Sequence, residues 1–65
     1  MIQSSNIAAL DYAKDGTLTV TFKSGGTWEY LGVPATVYLA MLQAPSVGSY
    51  FHHNVRSRYV SRKVS

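Results

Sequence analysis

The segment TLTVTF at residues 17–22 alternates strictly between polar and apolar side chains. Successive side chains of a strand point to opposite faces, so Leu18, Val20 and Phe22 share one face and the threonines share the other. This pattern is typical of a strand that is buried on one side only. Other parts of the chain must therefore fold back to cover the apolar face.

The residues before this segment predict a neighbouring strand. Residues 7–12 alternate less regularly, with Ala8, Leu10 and Tyr12 as the expected core face. The dipeptide Asp15-Gly16 follows them and is a turn signal. We therefore expect the two strands to pair as an antiparallel hairpin.

The residues after the alternating segment predict a third strand. Ser24-Gly25-Gly26 is a second turn signal, and in the following residues Trp28 and Tyr30 share one face while Glu29 takes the other. We expect Trp28 in the core, whereas Tyr30 suits either the core or the rim of a ligand site. Three strands on short turns predict an antiparallel meander.

The second half of the chain changes to a helical period. Val33, Val37, Met41 and Ala44 follow one another at the spacing of one helical face, and a proline precedes them in the first turn. This pattern predicts a helix from Pro34 to Gln43.

A second helix is predicted from about Val47 to Ser57. Pro45 ends the first helix, and Ser46 is a suitable N-cap. Apolar residues then continue at intervals of four through Phe51 and Val55. Residues 1–65 are therefore expected to form a single small α+β domain, a three-stranded antiparallel β-meander followed by two helices.

The predicted first helix has more apolar surface than a thin sheet can cover, because Tyr38, Leu39 and Leu42 lie outside its core stripe. Packing of the second helix there is the simpler explanation, and contact between copies of the chain is the alternative. A chain of 65 residues without cysteine has a small core and no disulfides, so self-association is an available source of stability. We expect a homo-oligomer.

The basic residues are concentrated near the C-terminus. The net charge of +3 comes from six Lys and Arg against three Asp and Glu. Residues 56–65 contain four of the six cations and no carboxylate, which are Arg56, Arg58, Arg62 and Lys63. This distribution predicts a cationic end that attracts an anionic partner.

The hydropathy pattern predicts no membrane partner. The longest apolar run, residues 37–42, is far shorter than the roughly 20 residues of a membrane span. The first residues also lack the basic and then apolar pattern of an export signal. A cytoplasmic location, in a bacterium or a phage-infected host cell, is the expectation.

Several short motifs follow one another in a defined order along most of the chain. They are Ser4-Ser5-Asn6-Ile7, Leu18-x-Val20-x-Phe22-x-x-Gly25, Trp28-Glu29-Tyr30, Gly32-Val33-Pro34, Val37-Tyr38, Ala44-x-Ser46-x-Gly48-x-Tyr50-Phe51 and Val55-Arg56-x-x-Tyr59. The ordered set resembles the KTSC domain, a family named for the C-terminus of some lysyl-tRNA synthetases. Trp28 stands where the family has a tyrosine, and His52 where it commonly has asparagine. The resemblance implies a stand-alone or appended module of bacterial or phage origin, suggested to bind RNA.

The start of the second helix has the features of an anion site. A helix N-terminus presents N–H groups without a partner in the helix and a partial positive charge, which suit a phosphate. Gly48 lets a ligand approach the backbone, and Ser49, a histidine and Arg56 follow at three- and four-residue intervals. The candidate ligand-binding residues are Ser46, Gly48, Ser49, Tyr50, His52, His53, Arg56, Arg58, Tyr59 and Tyr30.

Catalytic and metal sites are not expected. The carboxylates Asp11, Asp15 and Glu29 fall on predicted strands or in a turn, and no pair of them is spaced as a general acid and base. A serine one helical turn before a histidine is weak evidence for a nucleophile, because a nucleophilic serine also needs a carboxylate that orients the histidine. His52 and His53 are adjacent, so they point about 100° apart on a helix, and no cysteine is present to complete a metal site. No cofactor is expected.

Three functions remain open from the sequence. The first is a non-enzymatic nucleotide-binding module, such as a phage-type sponge that sequesters a nucleotide signal, cyclic or otherwise, in an oligomer. The second is a domain that binds RNA or single-stranded nucleic acid through its C-terminal cations. The third is a protein-interaction domain that uses the surplus apolar face of the first helix.

Overall fold

The structure contains four strands, which form one sheet, and two helices. A computed structural model describes residues 6–65, so Ser4 and Ser5 of the first motif lie outside the described residues. The elements are β1 (Ile7–Tyr12), β2 (Leu18–Phe22), β3 (Thr27–Tyr30), α1 (Ala35–Gln43), α2 (Val47–Asn54) and β4 (Ser61–Lys63). The α+β prediction is confirmed, with four strands in place of three.

The four strands form one antiparallel sheet in the order β1-β2-β3-β4. Trp28 lies opposite Val20 and Tyr30 opposite Leu18, so both aromatic residues share the face of the apolar β2 residues. The chain returns after α2 to add β4 beside β3, with Ser61 opposite Tyr30. The sequence did not predict β4, because its three residues, SRK, show no polar-apolar alternation.

A β-bulge in β1 changes which side chains face the core. Ile7 pairs with Phe22 and Ala9 with Thr21, so two steps along β1 correspond to one step along β2. The extra residue, Ala8, is exposed, whereas Ile7 is buried. The prediction of Ala8 as a core residue is therefore wrong, because a bulge shifts the alternation by one residue. The other two predicted core residues of this strand are half-buried and pack against the core.

The two predicted strand turns are present. Thr17 N–H donates to Asp15 Oδ1 over 3.0 Å, and hydrogen bonding with Thr17 holds the pKa of this carboxyl below its ordinary value of 3.8. Gly16 has a φ of +91°, which glycine adopts without the strain that a Cβ causes. Its carbonyl accepts from Val33 N–H over 2.9 Å, which ties this turn to the residues before α1.

The core lies between the sheet and the two helices. The buried apolar residues are Ile7, Leu18, Val20, Tyr30, Val33, Met41, Phe51 and Val55. Except for Ile7 and Tyr30, they all lie on the strand and helix faces predicted as apolar. Tyr30 is only 4% exposed, so the core is its location.

The first helix begins one residue later than predicted. Pro34 is the N-cap, and its carbonyl accepts from the Val37 and Tyr38 N–H groups. Tyr38 stacks on Tyr12 of β1, with ring centroids 4.7 Å apart and planes within 9°. Leu39 and Leu42 remain 53% and 46% exposed, so the explanation that α2 covers them is wrong.

The second helix ends at Asn54, three residues before the predicted end. The Val55 and Arg56 N–H groups both donate to the Phe51 carbonyl, and residues 55–58 form turns. Neither glycine nor proline marks this end, so the sequence has no signal for it. Within residues 6–65, no helix has the length and apolar character needed to cross a bilayer.

Candidate functional site

A pocket of about 520 Å³ lies between α2 and the sheet. Its volume falls within the range of about 300–1,000 Å³ that small-molecule sites occupy. The helical side and the turn after it contribute Ser46, Gly48, Ser49, Phe51, His52, His53 and Arg56. The sheet and its neighbouring residues contribute Asn6, Ile7, Phe22, Ser24, Gly25, Trp28 and Tyr30.

The start of α2 forms the polar end of this pocket. Ser46 has an extended backbone, and its Oγ accepts from Ser49 N–H over 3.2 Å, so the predicted N-cap is confirmed. This bond uses Oγ as an acceptor, and the Ser46 hydroxyl proton can still be donated. The other N–H groups of the first turn have no partner within the helix and carry a partial positive charge.

His53 is tied to the backbone of its own helix. Its Nδ1 lies 2.9 Å from the Ser49 carbonyl oxygen, which can only accept a hydrogen bond. Nδ1 must therefore carry the proton in this contact, and it cannot take a proton from Ser49 Oγ, 3.4 Å away. This geometry does not activate Ser49 as a nucleophile.

Arg56 extends the polar side beyond the end of α2. Its Nη1 lies 3.3 Å from His52 Nδ1, and because a guanidinium only donates, this histidine nitrogen is the acceptor. The His52 proton is then on Nε2. The contact spans one helical turn and holds the guanidinium beside His52.

The aromatic side of the pocket is joined to the core. The rings of Tyr30 and Phe22 both pack edge-to-face against the ring of Phe51. The ring centroids are 5.1 Å apart for Tyr30 and Phe51 and 5.8 Å apart for Phe22 and Phe51. Burial raises the pKa of Tyr30 above its ordinary value of 10.0, and the positive charge of Arg56 opposes this rise. Trp28 is half-buried and packs against the core, as predicted. The pocket therefore joins an apolar wall to a cationic end.

The charges on the pocket have one sign. Arg56 is the only residue of its described lining with a permanent charge. Glu29 lies on the other face of the sheet and pairs with Arg62, whose Nε is 2.9 Å from Oε1. The cationic end predicted from the sequence is thus divided between the pocket and the opposite face. Among residues 6–65, no three side chains of the metal-ligating types come together.

Most of the predicted ligand-binding residues line the pocket; these are Tyr30, Ser46, Gly48, Ser49, His52, His53 and Arg56. Tyr50, Arg58 and Tyr59 lie outside its lining. Tyr50 instead borders a shallower depression of about 330 Å³ on the other side of Ser46 and Ser49.

The β2–β3 turn and Phe22 also line the pocket, which the sequence does not predict. The sequence predicts Ser24 and Gly25 only as turn formers and Phe22 only as a core residue. The turn signal locates Ser24 and Gly25 at the end of a hairpin. No sequence signal brings that end of the hairpin to the start of α2, because this depends on how the helix packs on the sheet.

Comparisons with known proteins agree on one family. A family model described as the KTSC domain matches residues 3–59. Lysine–tRNA ligases from Trichormus variabilis and from a Nostoc species are each 41% identical to this chain over 49 residues. The matched stretch is 75% of this chain and 9% of each ligase, so the chain spans a small part of the length of these relatives.

The fold is shared with a solved structure. The crystal structure of a KTSC domain protein from Yersinia pestis superposes with a TM-score of 0.90 at 29% identity, covering 98% of this chain and 92% of that one. The predicted resemblance is confirmed. Because the family model spans nearly the whole sequence and the structural similarity has the same extent, this chain belongs to the KTSC domain family.

Proposed function

We propose that the protein binds a phosphate-bearing nucleotide in the pocket between α2 and the sheet, without converting it chemically. The proposal is based mainly on one observation. A single cavity joins a helix N-terminus and a guanidinium to an aromatic wall, and its described lining contains no carboxylate. This combination complements a ligand with an anionic end and an aromatic end.

The start of α2 is the proposed position of the phosphate. Backbone N–H groups of a first helical turn and the helix dipole favour an anion there. The Ser46 and Ser49 hydroxyls are donors at the same end, and Arg56 supplies the positive charge. Gly48 has no side chain to obstruct the approach of a phosphate.

The aromatic wall is the proposed position of the base. Trp28 and Phe22 are half-buried, so each keeps surface that a flat ligand can contact. Stacking on an aromatic side chain contributes about 1–3 kcal/mol per base. The cavity of about 520 Å³ has the volume of a typical small-molecule site.

Binding without turnover is the form of activity that this site supports. His53 Nδ1 is committed to the Ser49 carbonyl, and no carboxylate of the described lining orients either histidine. A protein of this kind lowers the free concentration of its ligand in proportion to its own amount. Sequestration of a nucleotide signal, cyclic or linear, as by a phage-type sponge, is the biological form of the proposal.

Two arginines that lie two positions apart provide the test. Arg56 lines the pocket and Arg58 does not, so Arg56→Gln and Arg58→Gln remove the same charge at matched positions. Calorimetric titration against mono-, di- and cyclic nucleotides should give a ligand whose affinity falls about 10- to 150-fold with Arg56→Gln, since a charged hydrogen bond contributes about 1.5–3 kcal/mol. Arg58→Gln should bind like the wild type. Unchanged affinity of Arg56→Gln, or no binding of any nucleotide, would contradict the proposal.

RNA is the second candidate ligand. The curated relatives are lysine–tRNA ligases, which by name act on a tRNA, and the matching segment is a small part of each. A strand of RNA would cross the pocket and continue over the turn at residues 55–58. In that case Arg58→Gln should weaken the binding of a short RNA as much as Arg56→Gln does, and free nucleotides should bind poorly.

A further inference from the structure

The outer face of α1 is apolar and uncovered. Leu39 and Leu42 lie three positions apart, so they are neighbours on the helix, and they are 53% and 46% exposed. The other exposed side chains of α1 are small or uncharged: Ala35, Thr36, Ala40 and Gln43. The exposed face of α1 therefore contains two leucines, one at the middle of the helix and one near its C-terminal end, and no charged residue.

The charged residues of the chain all lie outside α1 and α2. None of the six Lys and Arg or three Asp and Glu falls between Glu29 and Arg56. Both helices consequently have no permanent charge, whereas the strands, their turns and the C-terminal residues contain all of them. Because the chain has a net charge of +3, two copies repel each other least where both are uncharged.

We propose that α1 is the surface on which two copies of this chain associate, packed antiparallel about a two-fold axis. A two-fold interface pairs a surface with itself, so an uncharged apolar face meets an identical face without opposing like charges. Leu39 is the central residue of the nine in α1, and such an axis places it opposite Leu39 of the second copy. Ala35 and Ala40 are small, which allows the helices to approach to about 8–10 Å.

The size of the face determines the strength of the association. A helix of nine residues is about 14 Å long at about 1.5 Å per residue. A standard interface takes about 800 Å² from each partner, about a fifth of the 4176 Å² of accessible surface here. One short helix supplies less than that area, so we expect a dimer that forms and dissociates in the micromolar range.

Other occupants fit the same face less well. A partner recognised through charge finds no charged side chain on α1. A surface of anionic lipid attracts helices with Lys or Arg on their polar side, and α1 has neither. The inference concerns a different surface from the pocket and does not rest on nucleotide binding.

Sedimentation of the full chain tests the interface. We expect the wild type to be dimeric at about 500 µM and monomeric at about 5 µM, as mass action requires for a weak dimer. Leu39→Glu and Leu39→Lys should each be monomeric at both concentrations, because each puts like charges opposite each other at the axis. Mixed one to one, they should form a heterodimer, which a general loss of stability would not produce.

A charge introduced outside α1 is the matched control. Val60 is 70% exposed and lies outside α1, so Val60→Glu has the same charge change and should dimerise like the wild type. Circular dichroism should show that each variant is folded. If Leu39→Glu is unfolded, Leu42→Glu replaces it as the test variant. A monomeric wild type at the high concentration, or a dimeric Leu39→Glu, overturns the proposal. Sedimentation of the wild-type monomer with phosphatidylcholine vesicles would assign the face to a membrane instead.

Discussion

Ser46 has two separate roles at the start of α2, one in the fold and one in the proposed site. Its Oγ accepts from Ser49 N–H, which satisfies a donor of the first helical turn. The cap uses Oγ only as an acceptor, so the hydroxyl proton can be donated to a ligand. A hydrogen-bond donor is needed only for the second role.

Two substitutions at this position should separate the roles. Ser46→Ala removes the cap and should lower the free energy of unfolding by about 1 kcal/mol. Ser46→Asp keeps an accepting oxygen at the N-cap and should be as stable as the wild type, yet its carboxylate should repel a phosphate and abolish nucleotide binding. Urea unfolding and calorimetric titration measure the two effects. Nucleotide binding by Ser46→Asp at wild-type affinity would exclude a phosphate from this end of the pocket.

The burial of individual residues shows where sequence periodicity predicts the core correctly. Leu18, Val20 and Met41 are buried where a period of two or of nearly four residues predicts them, because local backbone geometry determines the face of a side chain. Ala8 fails because the bulge beside it interrupts the period. A bulge depends on the neighbouring strand, so the alternation within one strand does not reveal it.

At the level of elements, β4 is the part of the fold that the sequence pattern least revealed. It covers the outer edge of β3, the strand that contributes Trp28 and Tyr30 to the pocket. Leu31 N–H donates to the Val60 carbonyl and Val64 N–H to the Thr27 carbonyl, so the pairing continues past both ends of β4. The family match ends at residue 59, before this strand.

Removal of residues 61–65 should therefore affect both stability and the site. The loss of several backbone hydrogen bonds, each contributing about 0.5–1.5 kcal/mol, should lower the free energy of unfolding by about 2 kcal/mol or more. Tryptophan fluorescence should report a more exposed Trp28. Arg62→Gln is the control, since it removes only the exposed ion pair with Glu29 and should cost about 1 kcal/mol or less. A truncated chain with wild-type stability would show that β3 needs no partner on this edge.

For the whole molecule, the arrangement of charge distinguishes the two candidate ligands. One arginine lines the pocket, whereas a bound strand of RNA would also contact cations outside it. The logarithm of affinity falls with the logarithm of salt concentration by about 0.7 for each phosphate contacted on a single strand. A ligand held at one phosphate should thus respond weakly to salt.

Titrations at about 50 mM and about 200 mM salt should therefore give distinct results. For a nucleotide in the pocket we expect affinity to fall no more than about fourfold, and for RNA contacted at four phosphates about 50-fold. Arg58→Gln is a useful control, because it should reduce the salt dependence only in the RNA case. A steep dependence for a mononucleotide would mean that cations beyond Arg56 take part.

The sequence was sufficient for whatever depends on neighbouring residues along the chain. It identified the faces of β2, α1 and α2, the cap at Ser46, the turn at Gly16 and the family, because periodicity and turn chemistry act over a few residues. It also placed Ser49, a histidine and Arg56 at one-turn intervals, since helical spacing alone produces that stripe.

Contacts between distant residues required the tertiary structure. Phe22 and Ser24 reach the start of α2, β4 pairs with β3, and Leu39 stays exposed, all through packing and strand register. Each of these outcomes depends on which of several compatible surfaces meet when the elements assemble. Periodicity tells which face of an element is apolar, and the packing of the whole chain selects the surface that covers that face.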